Sequence, residues 1–483
     1  MSDKQCHVTA ISILIVTVFL CFSNIVGAGF VSDDFVLVNR VASEGYYSSW
    51  GGENGTAFFR PATTLSYLFD YSIWGINSTG FHITNLFWHC LAGIAVFLLF
   101  RVMMYRVSFR KPCLYGLLTG VLFLSLSSHS ESVSWISGRA DIIATALSLL
   151  SVFFYYRQLN NPSIFQATLA LFLFFAGLMA KESVIITPLL WGIFLIYSAA
   201  KSRENLRRNL RLLLICLLIT GVYLALRIIP GNGFFSNLRS GGFLDISGVN
   251  IPENLIRYTF RVFIPPLPVS LRQVVLSFPL LVPITLLLLL VPFGIALHRK
   301  ATGKQKRILL LLIGCFFVSL LPVLSMKVSL FDTQSERFLY LPGVFAAGFL
   351  TVATVSLFKE SRTSLVILVV LIFVQGIFLH RSNGNWRQAG RLCSSIVQSV
   401  SEYDADSILI LAIPDSFRGA YVFRNGLNEA VTMFTGRESN YIVYCRISSY
   451  GDSLFLDNGN RINPYETQRT VISCVNGRMR TIQ

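Results

Sequence analysis

Apolar runs alternate with shorter polar links from residue 9 to residue 380. A helix needs roughly 20 residues to cross a hydrocarbon core of about 30 Å. The pattern therefore predicts about eleven membrane-spanning helices. The first of them could be a signal peptide, but a signal peptide begins with a basic cluster and this run does not, so we expect an uncleaved span. The predicted spans cover residues 9–29, 82–104, 113–128, 142–157, 163–180, 183–200, 211–229, 275–297, 308–326, 340–357 and 364–380.

Basic residues concentrate in three of the short links, at 106–111, 201–211 and 299–307. Cytoplasmic loops are enriched in Lys and Arg, so these links predict a cytoplasmic N-terminus and an external segment from residue 381 onward. The predicted external segments, such as 30–81, are longer and less regular than the basic links. Because long loops carry function more often than short ones, we expect the functional face to be the outer one.

Two segments have the composition of helices that lie in the membrane interface. Residues 39–76 are only mildly apolar and rich in Tyr, Trp and Phe, and residues 251–274 are similar. Aromatic side chains of this kind are enriched at the boundary between lipid and water. We therefore expect amphipathic juxtamembrane helices in the first external loop.

From residue 381 the composition becomes that of an ordinary folded domain. The elements predicted there are helices near 385–402 and 420–435 and strands near 408–413, 440–447, 453–456 and 470–475. The predicted fold class is thus an α-helical polytopic membrane domain over 1–380, followed by a small C-terminal α/β extracytoplasmic domain over 381–483.

The overall composition excludes several classes of protein. Apolar residues make up 53% of the chain and charged residues 13%, with a mean hydropathy of +0.62. Soluble domains carry about 25% charged residues, so a soluble enzyme, a disordered chain and a coiled coil are all excluded. The net charge of +16 resides largely in the basic links, so nucleic acid is not an expected partner.

The nine cysteines have no CxxC spacing, which supports neither a zinc site nor a redox motif. Five of them are expected to be small core residues, namely Cys21, Cys90, Cys113, Cys216 and Cys315. Three more lie in the C-terminal segment, where one pair can be oxidised if that segment is outside the cytoplasm: Cys393, Cys445 and Cys474.

Two adjacent acids, Asp33 and Asp34, follow the first span directly. A carboxylate at the membrane surface can accept the proton of an attacking hydroxyl group. If the segment is extended, the two side chains point to opposite sides, and only one faces a substrate. The alternative is an N-cap or a solvated loop acid.

Cations are predicted at the outer ends of several spans, where charge is costly and often functional. They are Arg60, Arg139, Lys181 and Arg337. Acidic residues that are near these cations in sequence are Asp70, Glu131, Asp141, Glu182 and Glu336. Arginine can bind a phosphate through two parallel hydrogen bonds, so we interpret the cations as ligands of a phosphate group. Snorkelling side chains and structural ion pairs, such as Arg139 with Asp141, are the alternatives.

Polar side chains also interrupt the span near residue 82. His82, Asn85 and His89 are spaced so that they share one helix face. They lack a third strong metal ligand, which favours hydrogen bonding over a metal site. His129 and Tyr340 are further polar residues close to predicted span ends. No metal site is assigned; a divalent metal stays an open alternative.

Five blocks occur in a fixed order, in most of residues 25–200 and again in 330–350. They are DDF, FFRPATTLSYLFDYSIWGINSTGFHITNLFWHCL, ESVSWISGRADIIATALSLLSVFFYYR, GLMAKES and ERFLYLPG. This series resembles the membrane half of the O-mannosyltransferases that carry transmembrane and tetratricopeptide-repeat regions, within the GT-C glycosyltransferase superfamily.

The resemblance implies a GT-C fold, a first external loop with an acidic motif, and a polyprenyl-phosphate-linked sugar as donor. The acidic motif of the family falls on Asp33 and Asp34, and its Arg-Ala-Asp block on Arg139 and Asp141. No repeat of about 34 residues is visible in this sequence, which is a departure from the family. A protein acceptor is therefore not implied, and a prokaryotic relative is suggested.

The predicted function is an inverting glycosyltransferase that moves mannose or another sugar from a polyprenyl phosphate carrier to an acceptor hydroxyl group. Asp33 or Asp34 takes the proton, and the cations stabilise the leaving phosphate. The acceptor is a protein, a lipid or a glycan, and the carrier is a co-substrate rather than a bound cofactor. We expect the site to face the periplasm, or alternatively the lumen of the endoplasmic reticulum.

Two other functions remain open from the sequence. A transporter or flippase of lipid-linked glycans shares a cationic cavity, but it predicts charges deep within the spans and pseudo-repeated halves. A non-catalytic membrane scaffold gives no reason for acids and cations to recur on one face of the bundle.

Overall fold

The computed structural model describes residues 3–50, 59–198, 203–228, 250–278, 280–402, 408–411 and 413–436, together with the strands within 442–481. Its helices are α1 (Asp3–Phe22), α2 (Asp33–Glu44), α3 (Pro61–Trp74), α4 (Ser78–Arg106), α5 (Pro112–Ser125), α6 (Ser130–Ser134), α7 (Arg139–Asn160), α8 (Ile164–Ala180), α9 (Thr187–Ser198), α10 (Arg203–Ile228), α11 (Ile251–Phe263), α12 (Arg272–Ser277), α13 (Leu281–Lys300), α14 (Gly303–Leu320), α15 (Tyr340–Phe358), α16 (Arg362–Ser401) and α17 (Leu427–Thr435).

The chain is an integral, multi-pass membrane protein. Within the described residues, eight helices are long and apolar enough to cross a membrane, and a ninth span results if α5 and Ser127–Ser134, bent by 54°, are counted together. The predicted number of eleven is not confirmed. The difference comes largely from Ile164–Ala180 and Glu182–Ser198, which are shorter than a full crossing requires.

The core of the bundle forms around α4 and α7. Helix α4 packs against α5 and α7, and α7 packs against α8. Most of α7 is buried inside the protein, whereas α10 and α13 keep long apolar faces exposed. In a membrane those exposed faces contact lipid, so their lack of cover is expected.

Helix α16 is longer than the sequence predicts. Its 40 residues join the predicted span 364–380 and the predicted helix near 385–402 into one element, about 60 Å long at 1.5 Å per residue. The predicted domain boundary after residue 380 lies inside this helix. Its C-terminal half packs on the loop after α1, where Gly390 approaches Gly29 closely.

The C-terminal segment contains eight short strands: β1 (Ile408–Leu411), β2 (Ser416–Phe417), β3 (Ala420–Tyr421), β4 (Ile442–Arg446), β5 (Leu454–Leu456), β6 (Arg461–Ile462), β7 (Thr470–Val475) and β8 (Arg478–Thr481). The larger sheet has the order β6-β5-β4-β1-β7-β8, and β1 is parallel to β4 and β7. Strands β2 and β3 form an antiparallel pair. That this segment is a separate extracytoplasmic α/β domain stays a prediction.

One cysteine expectation is wrong. Cys113 forms a disulfide with Cys6, which joins α5 to α1, rather than being a free core residue. Cys393 is buried and free in the described structure, and the side chains of Cys445 and Cys474 lie outside the described residues.

The close approach of α16 to the first loop can be tested with two glycines of the same helix. A Cβ at Gly390 would lie 2.7 Å from the Gly29 amide nitrogen, whereas a Cβ at Gly384 would meet nothing within 4 Å. We expect G390A to cost about 1–3 kcal/mol of stability through overpacking. G384A should be neutral, or more stable by about 0.5–1 kcal/mol. Thermal unfolding of both variants in detergent measures the difference, and equal melting temperatures would contradict the described packing.

Candidate active site

The acidic motif lies at the beginning of α2. Asp33 and Asp34 form the first turn of this helix, so the segment is helical rather than extended. Ser32 precedes them with a φ of 46°, an uncommon conformation for a residue with a side chain. Its amide donates to Val422 O (2.8 Å), and its hydroxyl donates to Asn425 Oδ1 (2.8 Å). The C-terminal segment therefore holds the start of the acidic helix.

Asp34 is buried and hydrogen-bonded. Its carboxylate accepts the Val31 amide (3.1 Å), the Ser137 amide (2.9 Å) and the Ser137 hydroxyl (2.5 Å). Burial raises the pKa of Asp34 to about 7, although the hydrogen bonds from Ser137 and Val31 oppose the shift. Asp34 thus fastens α2 to the turn that precedes α7.

Asp33 has a different environment. It is partly exposed, and it makes no hydrogen bond or ion pair with the described residues. Its charge acts on Arg337, more weakly than the charges of Glu131, Tyr421 and Asp141 do. Of the two predicted acids, Asp33 is the one whose carboxylate is available to a bound molecule.

Three of the four predicted cations form ion pairs near one another. Arg60 makes two hydrogen bonds to Glu182 (3.0 and 2.5 Å), and Lys181 Nζ lies 2.6 Å from Asp141 Oδ1. The charges of Arg60 and Arg337 both act on Lys181. We call this group the ionic cluster; its members are Asp33, Arg60, Glu131, Asp141, Lys181, Glu182 and Arg337.

Arg337 occupies the end of the ionic cluster nearest Asp33. Its amide donates to Glu131 Oε2 (2.9 Å), and its guanidinium lies 3.4 Å from Glu131 Oε1. The guanidinium also lies over the rings of Trp135 (4.9 Å) and Phe338 (5.1 Å), an arrangement that stabilises a cation. About 28% of the Arg337 side chain remains exposed, so a ligand can reach it.

Burial tunes the central cation of the cluster. Lys181 lies between α8 and the following 3-10 turn, where burial lowers its pKa while Asp141 acts to raise it. The side chain is 10% exposed and its partner Asp141 is 13% exposed. The pair therefore has little contact with solvent, and at the lower effective dielectric constant each charge interacts more strongly with its neighbours.

The structure places Arg139 apart from the predicted phosphate site. Its side chain is fully buried and pairs with Asp70 (2.5 Å), not with Asp141 as the sequence suggested. It also donates to Asn85 Oδ1 (2.6 Å), to Phe81 O (2.8 Å) and to Ser66. Because protein groups already take up its donors, Arg139 joins α7 to α3 and α4.

Glu336 also has a partner that the sequence did not indicate. It is fully buried and pairs with Arg261 of α11, whereas its neighbour Arg337 faces Glu131. Arg261 was not among the predicted site residues. Its position in the aromatic segment 251–274 could have drawn attention to Arg261. Nothing in the sequence, however, identifies Glu336 as its partner.

The predicted polar stripe on α4 is buried and hydrogen-bonded. His82 Nε2 contacts Ala28 O (3.2 Å), Asn85 Nδ2 donates to Val133 O (3.1 Å), and His89 Nδ1 lies 2.6 Å from the Tyr340 hydroxyl. His129 packs on the ring of Tyr340, with centroids 4.6 Å apart. These contacts tie α4 to α15 and to the segment around α6.

Sequence reasoning missed Tyr421, which reaches the site from the C-terminal segment. Its hydroxyl donates to Glu131 Oε1 (2.7 Å), the same carboxylate that holds Arg337. Its ring packs edge-on against Trp135 and Trp386. Tyr421 and Glu131 are 290 residues apart in sequence, so no local pattern could have indicated the contact.

Chemically, the site combines an available carboxylate with paired cations in a partly buried setting. A carboxylate of this kind can accept a proton, and fixed cations can stabilise charge that develops on a phosphate oxygen. The described residues contain no group of three His, Cys, Asp or Glu side chains arranged to hold a metal ion.

The sequence is similar to those of several protein O-mannosyl-transferases. The chain is 31% identical over 203 residues to the Drosophila melanogaster protein O-mannosyl-transferase Tmtc1, a match to 39% of this chain and 22% of that protein. It is 24% identical over 444 residues to the human protein O-mannosyl-transferase TMTC4, covering 78% and 60% of the two chains. The resemblance found in the sequence motifs is thus confirmed, although the match spans less than a quarter of Tmtc1. No protein-family model matches the chain.

Among solved structures, the chain is similar to the archaeal oligosaccharyltransferase AglB from Archaeoglobus fulgidus, determined with an inhibitory peptide and a dolichol-phosphate. The TM-score is 0.52 at 12% identity, covering 90% of this chain and 64% of AglB. ArnT from Cupriavidus metallidurans, bound to undecaprenyl phosphate, matches with a TM-score of 0.46 at 12% identity, covering 92% and 90%. The similarity to AglB supports the expected GT-C-type membrane fold.

The environment of Asp34 predicts how stability depends on pH. Its pKa in the folded protein is about 7 against 3.8 in a model compound, so the folded protein holds the proton more tightly. Stability should therefore fall as the pH rises from about 4 to 7, by up to a few kcal/mol, and then level off. D34N should lose this part of the pH dependence, and D33N should keep it. Melting temperatures measured against pH for the three proteins test this, and identical curves for wild type and D34N would contradict it.

Proposed function

We propose that this chain is an inverting, membrane-embedded glycosyltransferase that moves a sugar from a polyprenyl-phosphate carrier to an acceptor hydroxyl group. The observation that carries the proposal is the state of Asp33: a partly exposed carboxylate that has no partner among the described residues and whose charge acts on Arg337 of the ionic cluster. The sequence similarity to protein O-mannosyl-transferases supports the reaction class, and mannose is the first sugar to test.

In the proposed reaction Asp33 is the general base. The acceptor oxygen attacks the anomeric carbon while its proton passes to the Asp33 carboxylate. The bond between that carbon and the phosphate oxygen breaks, and the electron pair leaves with the polyprenyl phosphate. Attack from the side opposite the leaving group inverts the configuration at the anomeric carbon.

Arg60, Lys181 and Arg337 are proposed to stabilise the leaving phosphate. They are held in place by carboxylates, so they need little reorganisation as negative charge develops. Fixed cations can neutralise a phosphate monoester without a divalent ion, and treatment with a chelator tests metal dependence directly. Arg139 and Asp34 act as positioning residues in this scheme, because both are buried and fully engaged.

The site is proposed to face the periplasm or the lumen of the endoplasmic reticulum. Arg337 precedes the first residue of α15, and the last residue, Phe358, lies against Lys300 of the basic link 299–307. The 19 residues of α15 put these two ends about 28 Å apart. The basic link 299–307 therefore lies at the end of the bundle opposite the ionic cluster, which supports an outward-facing site under the positive-inside rule.

Two neighbouring acids allow a matched test of the base. We expect D33N to lower the release of polyprenyl phosphate from a dolichyl-phosphate mannose donor by about 10²–10⁴-fold, because a general base is removed. D34N should retain more activity, since Asp34 acts through the position of α2. Single-turnover release with radiolabelled donor is the measurement. Full activity of D33N would refute the assignment of the base, and carriage of intact donor across vesicles without its cleavage would favour a flippase.

The role of the cations is tested by comparing opposite ends of α15. R337Q should lower kcat by about 10²–10³-fold, because a fixed cation that stabilises the developing negative charge is lost. K300Q alters a cation at the far end and should leave kcat unchanged. Equal kcat values for R337Q and wild type would remove Arg337 from the mechanism.

A further inference from the structure

Four arginine or lysine residues are buried in the part of the chain that the structure describes. They are Arg139, Lys181, Arg227 and Arg261. Three have a carboxylate partner, respectively Asp70, Asp141 and Glu336. Arg227 is 3% exposed and forms no salt bridge with a described residue.

The unpaired part of Arg227 has a specific geometry. Its Nε and Nη2 atoms are buried and have no hydrogen-bond partner among the described residues. These two nitrogens form the edge of a guanidinium that binds two oxygens of one anion, and Arg60 uses the same edge to hold Glu182. Arg227 therefore presents a vacant bidentate anion-binding edge.

Tyr223 supplies a second vacant donor one helical turn away on α10. It is buried, its side chain interacts with the Arg227 guanidinium, and its hydroxyl proton has no acceptor among the described residues. Its ring packs near Phe59, with centroids 6.2 Å apart, and the charges of Arg227, Arg60 and Glu182 all act on it. Arg227 and Tyr223 thus extend the ionic cluster at the end away from Asp33.

The charges of the ionic cluster explain why an additional cation matters. Arg60, Lys181 and Arg337 are each matched by one carboxylate, so these three pairs carry no net charge. The pairs can stabilise charge that develops while the bond to the phosphate breaks, whereas binding of the phosphate before the reaction also calls for a positive charge that no carboxylate matches. A buried, unmatched guanidinium is costly in the absence of an anion, and an entering phosphate would remove that cost.

We propose that Arg227 and Tyr223 bind the phosphate group of the polyprenyl-phosphate carrier. The inference rests on the proposed function, and it assigns the donor phosphate to α10, which the sequence analysis did not consider. The recognised chemistry is a terminal phosphate monoester: two of its oxygens accept from Arg227 Nε and Nη2, and an oxygen accepts from the Tyr223 hydroxyl.

The test is binding of dolichyl phosphate to the purified full chain in detergent, followed through the ligand-induced rise in melting temperature and through Kd. We expect R227Q to weaken binding at least 30-fold. R227K, which keeps the charge but not the bidentate edge, should lose less, and Y223F should lose a few-fold. R207Q, an exposed arginine near the other end of α10, is the matched control and should bind as wild type does.

The melting temperature without ligand separates this role from a structural one. Removing an uncompensated buried charge should leave R227Q as stable as wild type or more stable, while its response to dolichyl phosphate is lost. A lower melting temperature of ligand-free R227Q, with an unchanged Kd, would overturn the proposal.

Two further comparisons identify the anion. Asp245 is the one carboxylate in residues 229–249 of the sequence, outside the described residues. If D245N lowers the ligand-free melting temperature and R227Q abolishes that effect, Asp245 is the partner of Arg227 and the proposal fails. Dolichyl phosphate should bind more tightly than phosphatidic acid or inorganic phosphate, and equal binding of phosphatidic acid would instead indicate a general lipid headgroup site.

Measurements of binding and of sugar transfer test the phosphate site and the proposed function separately. Loss of dolichyl phosphate binding in R227Q, in a protein that transfers no sugar, would support this site and count against the proposed function. Unchanged binding by R227Q in a protein that does transfer sugar would count against this site alone.

Discussion

The fully buried pair of Arg139 and Asp70 holds together the elements on which the candidate site is built. Arg139 begins α7, Asp70 belongs to α3 in the segment between α1 and α4, and the other contacts of the guanidinium reach α4. Removing both charges from water costs about as much free energy as their mutual attraction supplies, so the pair adds little net stability. Each residue nevertheless needs the other, because either one alone would be an uncompensated buried charge. The pair therefore fixes α7 and α3 next to each other. Asp34 bonds to Ser137, two residues before Arg139, so α2 meets α7 at this same junction.

Around that junction the charges are arranged in matched pairs, with two exceptions. Asp33 and Arg227 are the members of this region without a partner of opposite charge among the described residues. They lie at opposite ends of the ionic cluster, one beside Arg337 and the other beyond Arg60. In the proposed reaction these are the ends that receive a proton and hold a phosphate. The cations of the matched pairs between them are held in place to stabilise the charge that develops on the leaving phosphate.

Much of this arrangement could be predicted from the sequence, because it depends on local signals. Apolar runs locate the bundle, and spacing puts His82, Asn85 and His89 on one buried face. The motifs also identified Arg60, Lys181 and Arg337, which the structure brings together. The number of spans could not be predicted, since apolarity alone counted Ile164–Ala180 and Glu182–Ser198 as spans, although these helices are shorter than a full crossing requires.

The pairing of charges could not be predicted, because it depends on how helices rotate and tilt against one another. Asp141 is two residues from Arg139 in sequence, yet it pairs with Lys181, and Arg139 takes Asp70. Glu336 and Arg337 are adjacent and face different partners. Arg227 looks like an ordinary basic residue at the end of a span until the structure shows what surrounds it.

The contact between Tyr421 and Glu131 has a consequence for biogenesis. Glu131 enters the membrane region early in synthesis, while Tyr421 and Val422 leave the ribosome some 290 residues later. Until then Glu131 lacks one of its donors and Ser32 lacks the carbonyl that fixes its strained backbone. A nascent chain with all its spans inserted has therefore not yet formed the contacts that complete this part of the structure.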